Sequence, residues 1–208
     1  MAFIRCVEHP LALDKLGRLR DRATDVPTFR RLVHEISLFL AMECTRDVVV
    51  EERLTETPIR SARVSQVVDS IVLIPILRAG LGMVEGMLQV VPNASVGHIG
   101  LHRDPTTLSP VEYYANTPRD LASQQVIVLD PMLATGGSAD AALALLKGQG
   151  AKRIKLASLL AAPEGVERIN RAHPDVQVYT VAVDEGLNDH AYIVPGLGDA
   201  GDRMFGTL

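Results

Sequence analysis

Asp130, Thr135 and Ser138 stand close together in the chain, separated by Pro131, Met132, Leu133, Ala134, Gly136 and Gly137. An acid followed by two hydroxyls and two adjacent glycines could build an anion cradle. The glycines let backbone N–H groups approach a phosphate with no Cβ in the way, and the hydroxyls add donors. A helix starting there contributes roughly half a positive charge. Asp130 can accept hydrogen bonds from the hydroxyls of whatever carries the phosphate. An ordinary strand-turn-helix junction uses the same residue types for turn and cap reasons, so this stretch alone leaves both readings open.

Two cations could meet the same anion. Arg78 follows the apolar run Ile71-Val72-Leu73-Ile74-Pro75-Ile76-Leu77 and opens the turn Ala79-Gly80-Leu81-Gly82. It could cap helix carbonyls, pair with an acid, or bind a phosphate or pyrophosphate. Arg103 sits at the base of residues 102–118, where Pro105, Pro110 and Pro118 make a long hinged loop or a weak hairpin, the type of segment that closes over an active site. His98 and His102 are four apart, but Gly97 and Gly100 argue against the helix that an HExxH zinc site requires. Residues 184–208 hold glycines and aspartates in place of a core pattern, anchored by Leu187, Ile193, Val194, Leu197, Met204 and Phe205. Such a tail reads as a shaped binding loop, and its free backbone groups suit a flat polar heterocycle.

These residues need rigid elements to hold them. Residues 71–77 and 126–129 are continuous apolar runs of strand length, expected to be buried on both faces. Helical patterns follow at residues 81–90 and 139–146, with further strands at 96–101, 153–160 and 176–183 and a helix over 163–172. Strands and helices therefore alternate, which predicts an α/β fold: a mostly parallel sheet flanked by helices. Upstream, residues 11–25 read as a short amphipathic helix and a loop ending at Pro27. Thr28 is the expected cap of a second helix running to about Cys44. Residues 46–64 read as a β-ribbon arm turning at Thr55, Glu56 and Thr57, which projects from the core or joins a subunit interface. No second globular domain is visible, so residues 1–208 read as one domain.

The 208 residues carry a formal net charge of -4, with 47% apolar and 22% charged residues. The acidic balance argues against broad nucleic-acid binding, which needs a basic surface. Cys6 and Cys44 are far apart and form neither a disulfide framework nor a zinc knuckle. The start lacks the apolar core of a signal peptide and no apolar run reaches the ~20 residues of a membrane span, so a soluble, cytoplasmic protein is expected, with no membrane partner.

Residues 130–138 resemble the phosphoribosyl-pyrophosphate motif of type I phosphoribosyltransferases, in the version that belongs to the uracil phosphoribosyltransferases. Pro75-Ile76-Leu77-Arg78-Ala79-Gly80-Leu81-Gly82 and Tyr192-Ile193-Val194-Pro195-Gly196-Leu197-Gly198-Asp199-Ala200-Gly201-Asp202-Arg203 are similar to that family's two other signatures. The resemblance covers essentially the whole chain. It implies transfer of a 5-phosphoribosyl group from phosphoribosyl pyrophosphate (PRPP) to N1 of uracil, giving uridine monophosphate (UMP) and pyrophosphate.

It further implies that Asp130, Pro131, Met132, Leu133, Ala134, Thr135, Gly136, Gly137 and Ser138 hold the ribose 5-phosphate. Arg78 and Arg103 would take the donor's pyrophosphate end. Asp199 falls on a donor position and, with Ile193, Gly198 and Ala200, on the uracil pocket. Arg78, Arg103, Asp130 and Asp199 are the catalytic candidates. Most type I members have two adjacent acids where this chain has Asp130-Pro131. Magnesium, the expected cofactor, would therefore rest mainly on pyrophosphate oxygens, with Asp199 as a candidate ligand. A homodimer or larger homo-oligomer is expected, and GTP is a candidate activator, as in some bacterial relatives. The rival readings are transfer to another oxo-base and a pyrimidine-sensing regulator that binds RNA.

Overall fold

The computed structural model of the chain describes residues 4–103 and 110–207, the side chains of residues 102, 103 and 110 excepted. Strand β1 (Ile4–Cys6) opens it and pairs in parallel with residues 178–180 at the sheet edge, a strand that the sequence did not announce. Helix α1 (Pro10–Arg20) starts at a proline, which needs no N–H there, and buries Ala12, Leu16 and Leu19 along one stripe. Helix α2 (Val26–Cys44) is capped by Asp25, whose carboxylate accepts from Thr28 N at 2.9 Å. Thr28 is thus the recipient of the cap, not the cap, and Pro27 lies within the first turn.

The arm consists of β2 (Val50–Glu56) and β3 (Ser61–Val67), antiparallel and exposed along nearly its whole length. Its turn falls at residues 57–60, later than expected, where Thr57 Oγ1 accepts from Ile59 N and Arg60 N and donates to Arg60 O.

The central strand β4 (Ile71–Leu77) leads to α3 (Leu81–Val90), then β5 (Ser95–Val96), β6 (His98–Arg103) and β7 (Pro110–Asn116). β7 pairs antiparallel to β6, so the later part of the expected 102–118 loop is strand, the hairpin alternative, while residues 104–109 lie outside the described residues. β8 (Gln125–Leu129) is buried at every position and runs parallel to β4. β9 (Met132–Leu133), α4 (Gly137–Gly148), β10 (Arg153–Ala157), β11 (Leu160–Ala161), α5 (Pro163–Ala172), β12 (Gln177–Thr180) and β13 (Ala182–Val183) complete the α/β alternation. The order across the main sheet is β1-β12-β10-β8-β4-β6-β7.

The two-residue alternation of strands sends side chains to opposite faces. Leu73 and Ile127 join Phe29, Ile36 and Leu40 in a core under α1, α2 and α3. Val72, Ile74, Val126 and Val128 join Leu143 and Leu146 in a second core under α4 and α5. Each such aliphatic side chain stabilises the fold by about 1.5–3 kcal/mol when fully buried.

Expected strands 153–160 and 176–183 are each broken in two. Pro131 has no N–H to continue the ladder, so β8 ends at Leu129 and the chain re-pairs as β9 in a small second sheet of order β13-β11-β9. Leu159 N and Leu160 N both donate to Pro131 O at 3.1 Å, carrying the break to the neighbouring strands. The C-terminal segment is also more regular than expected: β14 (Gly186–Leu187) pairs with β15 (Ile193–Val194), and α6 (Ala200–Phe205) follows. Among the described residues no helix is long and apolar enough to cross a membrane.

Candidate active site

The candidate residues collect at the carboxyl ends of β4 and β8, where open α/β sheets hold ligands. Asp130, Met132, Ala134, Thr135, Gly136, Gly137 and Ser138 line a small cleft of about 70 Å³ at the start of α4. Gly136 has φ +75° and carries the chain into α4 with no side chain available to cap it. A Cβ there would be strained by the left-handed backbone and would meet Gly165 O at 3.1 Å. Thr135 Oγ1 accepts from Gly137 N at 3.4 Å. Pro131 and Leu133, assigned to donor binding from the motif, are buried and do not line this cleft.

Asp130 is largely withdrawn from solvent, and one backbone donor, Met132 N at 3.3 Å, faces it. Burial disfavours its charged form and pushes its pKa up to about 6, against the opposing effect of that hydrogen bond.

A neighbouring cleft of about 360 Å³ is lined by Ile193, Gly198, Asp199 and Ala200 together with His190, Ala191, Tyr192, Met132 and Ala134. Met132 and Ala134 thus belong to both clefts. An anion-sized cradle and a ring-sized recess joined through one wall fit a ligand with a phosphate at one end and a base at the other. His190 and Ala191 were not singled out from sequence, and Tyr192 only as the first residue of the third signature; they enter because Asn188 Oδ1 accepts from His190 N and Tyr192 N and folds the β14–β15 turn over the recess.

The recess is held from behind by α1 and α2. Arg20 donates to both Asp184 oxygens at 2.6 and 2.7 Å and to Gly196 O at 2.9 Å, while Gly196 N donates to Asp184 at 2.8 Å. Burial opposes ionisation of Asp184, but the Arg20 and Gly196 donors outweigh it and hold its pKa below the ordinary carboxylate value. Arg203 stacks on Phe29, with 4.6 Å from guanidinium carbon to ring centroid, and donates to the carbonyls of Leu19, Asp21 and Leu197. Arg30 Nε donates to Met204 O at 2.6 Å.

Arg78 follows a cis Leu77–Arg78 peptide at the end of β4. Its guanidinium pairs with Asp202 of α6 at 3.5 Å and lies 5.8 Å from the Phe205 ring centroid. Of the readings open for this residue, the structure shows the pairing with an acid. Gly80, two residues on, has room for no side chain: a Cβ would come within 2.4 Å of Leu129 O, which presses this turn onto the end of β8. Asp199 caps α6 through Asp202 N at 2.9 Å. Arg103 ends β6, and its side chain lies outside the described residues. Among the described residues no group of three or more His, Cys, Asp or Glu side chains could hold a metal ion.

A larger cleft, of about 470 Å³, opens at the opposite, amino ends of β4 and β8 and includes Asp69, Ser70, Asp120 and Gln124. Its acids are already engaged, Asp69 by Arg153 and Asp120 by Ala122 N and Ser123 Oγ, and none of the motif residues reaches it. We therefore place the chemistry at the two smaller joined clefts.

The fold is that of the type I phosphoribosyltransferases. A hypoxanthine-guanine phosphoribosyltransferase from Bacillus anthracis superposes over 76% of this chain and 80% of its own with a TM-score of 0.52 at 16% identity. The family model described as uracil phosphoribosyltransferase matches residues 6–207, and the chain belongs to that family. It is 57% identical over 208 residues, all of both chains, to a uracil phosphoribosyltransferase of Symbiobacterium thermophilum. The solved structure of the AQ2163 protein from Aquifex aeolicus matches 98% of each chain at 40% identity with a TM-score of 0.93.

Proposed function

We infer that this chain transfers the 5-phosphoribosyl group of PRPP to N1 of uracil, a pyrimidine-salvage reaction that yields UMP and pyrophosphate. The observation that carries this reading is the pair of clefts joined at Met132 and Ala134, in a chain of the uracil phosphoribosyltransferase family. The bond from ribose C1 to the pyrophosphate oxygen breaks, the bond from C1 to uracil N1 forms, and the N1 proton is lost to solvent or base. Positive charge develops on the sugar as the leaving group departs. Catalysis of such a step is chiefly positioning and charge stabilisation.

The first-turn N–H groups of α4, with Thr135 and Ser138, hold the 5-phosphate. Asp130 accepts from the ribose hydroxyls, and Arg78 and Arg103 neutralise the pyrophosphate. Ile193, Gly198, Asp199 and Ala200 offer backbone and side-chain groups to the base. A pocket that matches the N3–H donor of uracil between its two carbonyls leaves buried groups unpaired with cytosine, so strong discrimination is expected. Magnesium, a hard cation that prefers oxygen, would rest mainly on pyrophosphate oxygens, with Asp199 as the candidate carboxylate of the protein, and would supply neutralisation of leaving-group charge.

The exposed apolar residues of the arm, Leu54 and Ile59 among them, support a homo-oligomer, which sedimentation would test. GTP activation is carried over from the resemblance and is read by adding GTP to the assay. The free thiols Cys6 and Cys44 support a cytoplasmic setting. The decisive assay combines protein, Mg²⁺, PRPP and uracil and looks for UMP and pyrophosphate, omitting each component in turn and replacing uracil with cytosine. No UMP from the complete mixture would refute the reading.

Asp130 also sets a pH dependence. Protonation below about 6 removes the carboxylate that accepts from the ribose, so kcat/KM for PRPP should fall as pH drops through that value. Phosphate groups of the donor titrate near ~6 as well. Asp130→Asn separates the two: the enzyme's limb disappears and only the donor's remains. An unchanged acid limb in that variant would remove Asp130 from this role.

A further inference from the structure

We propose that Asp202, which no signature assigns a role, is a positioning residue for Arg78, holding it at the pyrophosphate end of the site from the helix that walls the C-terminal recess. The proposal rests on the phosphoribosyltransferase reading above. Three observations meet at this point. The Arg78 guanidinium pairs with Asp202 Oδ1 at 3.5 Å, and the Phe205 ring, one turn further along α6, lies beneath it at 5.8 Å. The Asp202 carboxylate is itself held, because Thr207 Oγ1 donates to the same oxygen at 2.6 Å. The Asp202 backbone N–H is capped by Asp199, which lines the base recess.

A cation at the end of one strand is thus tied to the helix that walls the base recess. The approach is close along the whole turn: a Cβ on Gly201 would sit 3.8 Å from Ala79 Cβ, and Met204 fills the space beside Gly82. Arg78 is itself largely exposed, with 58% of its side chain accessible. A long exposed arginine samples many rotamers, and ordering it on binding costs entropy. Asp202 and Phe205 restrict that search before the anion arrives, so pyrophosphate meets a guanidinium already confined beside the site.

An exposed ion pair with one cation–π partner has a modest effect, so the expected change is about three- to fivefold. The test is binding of pyrophosphate and of UMP, by calorimetry with Mg²⁺ present, to wild type, Asp202→Asn, Arg78→Ala and the double variant. Asp202→Asn should weaken pyrophosphate about three- to fivefold and leave UMP within twofold. In the Arg78→Ala background the Asp202→Asn effect should vanish, which a merely structural role for Asp202 would not produce.

Unchanged or tighter pyrophosphate binding in Asp202→Asn, or an equal loss in the Arg78→Ala background, overturns the proposal. Should Asp202→Asn melt well below wild type, Phe205→Leu serves in its place with the same expected sign, and its failure to weaken pyrophosphate overturns the proposal equally. Wild-type protein that binds neither pyrophosphate nor UMP would instead refute the underlying functional reading.

Discussion

Arg78→Ala should lower kcat by about a hundredfold or more while the fold survives. Removing one preorganised group that stabilises transition-state charge typically costs ~2.7–4 kcal/mol of barrier, and neutralising the leaving pyrophosphate is the role proposed above for Arg78. Its structural contribution is small by comparison. The pair joins an exposed Arg78 to a half-buried Asp202, and pairs open to solvent in this way contribute about 0.2–1 kcal/mol. Steady-state kinetics and a melting curve on the same preparation separate the two effects. Arg78→Lys keeps the charge but loses the planar fork, so an intermediate rate is expected. Turnover at the wild-type level in Arg78→Ala would show that the leaving group is neutralised elsewhere.

The second large effect is expected far from the reacting atoms. Asp184→Ala removes the acceptor for both Arg20 donors and for Gly196 N, leaving a cation and an N–H behind in a largely enclosed place. Truncating one partner of a buried pair costs about 3–5 kcal/mol. The Arg20 side chain retains 24% exposure, which argues for the lower end. At about 3 kcal/mol, a chain of this size should melt roughly 6–12 °C lower.

The functional signature is selective. Gly196 stands between Ile193 and Gly198, both of which line the base recess, so KM for uracil should rise more than KM for PRPP. Asp184→Asn, which still accepts from Gly196 N, should lie between. An Asp184→Ala variant with unaltered melting and unaltered KM for uracil would mean that the recess is shaped without this clasp.

Legibility from sequence followed the range of the interactions. Residues 71–77 and 163–172 declare themselves because a buried strand and a proline-started helix depend on neighbours a few positions away, and both match β4 and α5 in the structure. The cradle at residues 134–138 is likewise local: its glycines and hydroxyls act through their own backbone. β1 was not legible, since three residues become a strand only when β12 is beside them. The same holds for α6, a six-residue helix whose Arg203 and Met204 are held by groups of α1, α2 and the 195–198 turn. The broken strands were readable in principle from Pro131, but the effect on β10 and β12 required knowing that they lie alongside it.

By itself the sequence determined the α/β class, the family signatures and the chemical types gathered for the reaction, because periodicity, turn residues and motifs are written in short spans. Only the tertiary structure decided that the cleft at the start of α4 and the recess lined by residues 190–193 and 198–200 share Met132 and Ala134, and that Arg78 leans on Asp202. It alone closed Asp184 onto Arg20, and it raised the pKa of Asp130 by burial. Such contacts join residues many positions apart, and their strength depends on distance and on exclusion of water, two quantities that exist only once the chain has folded.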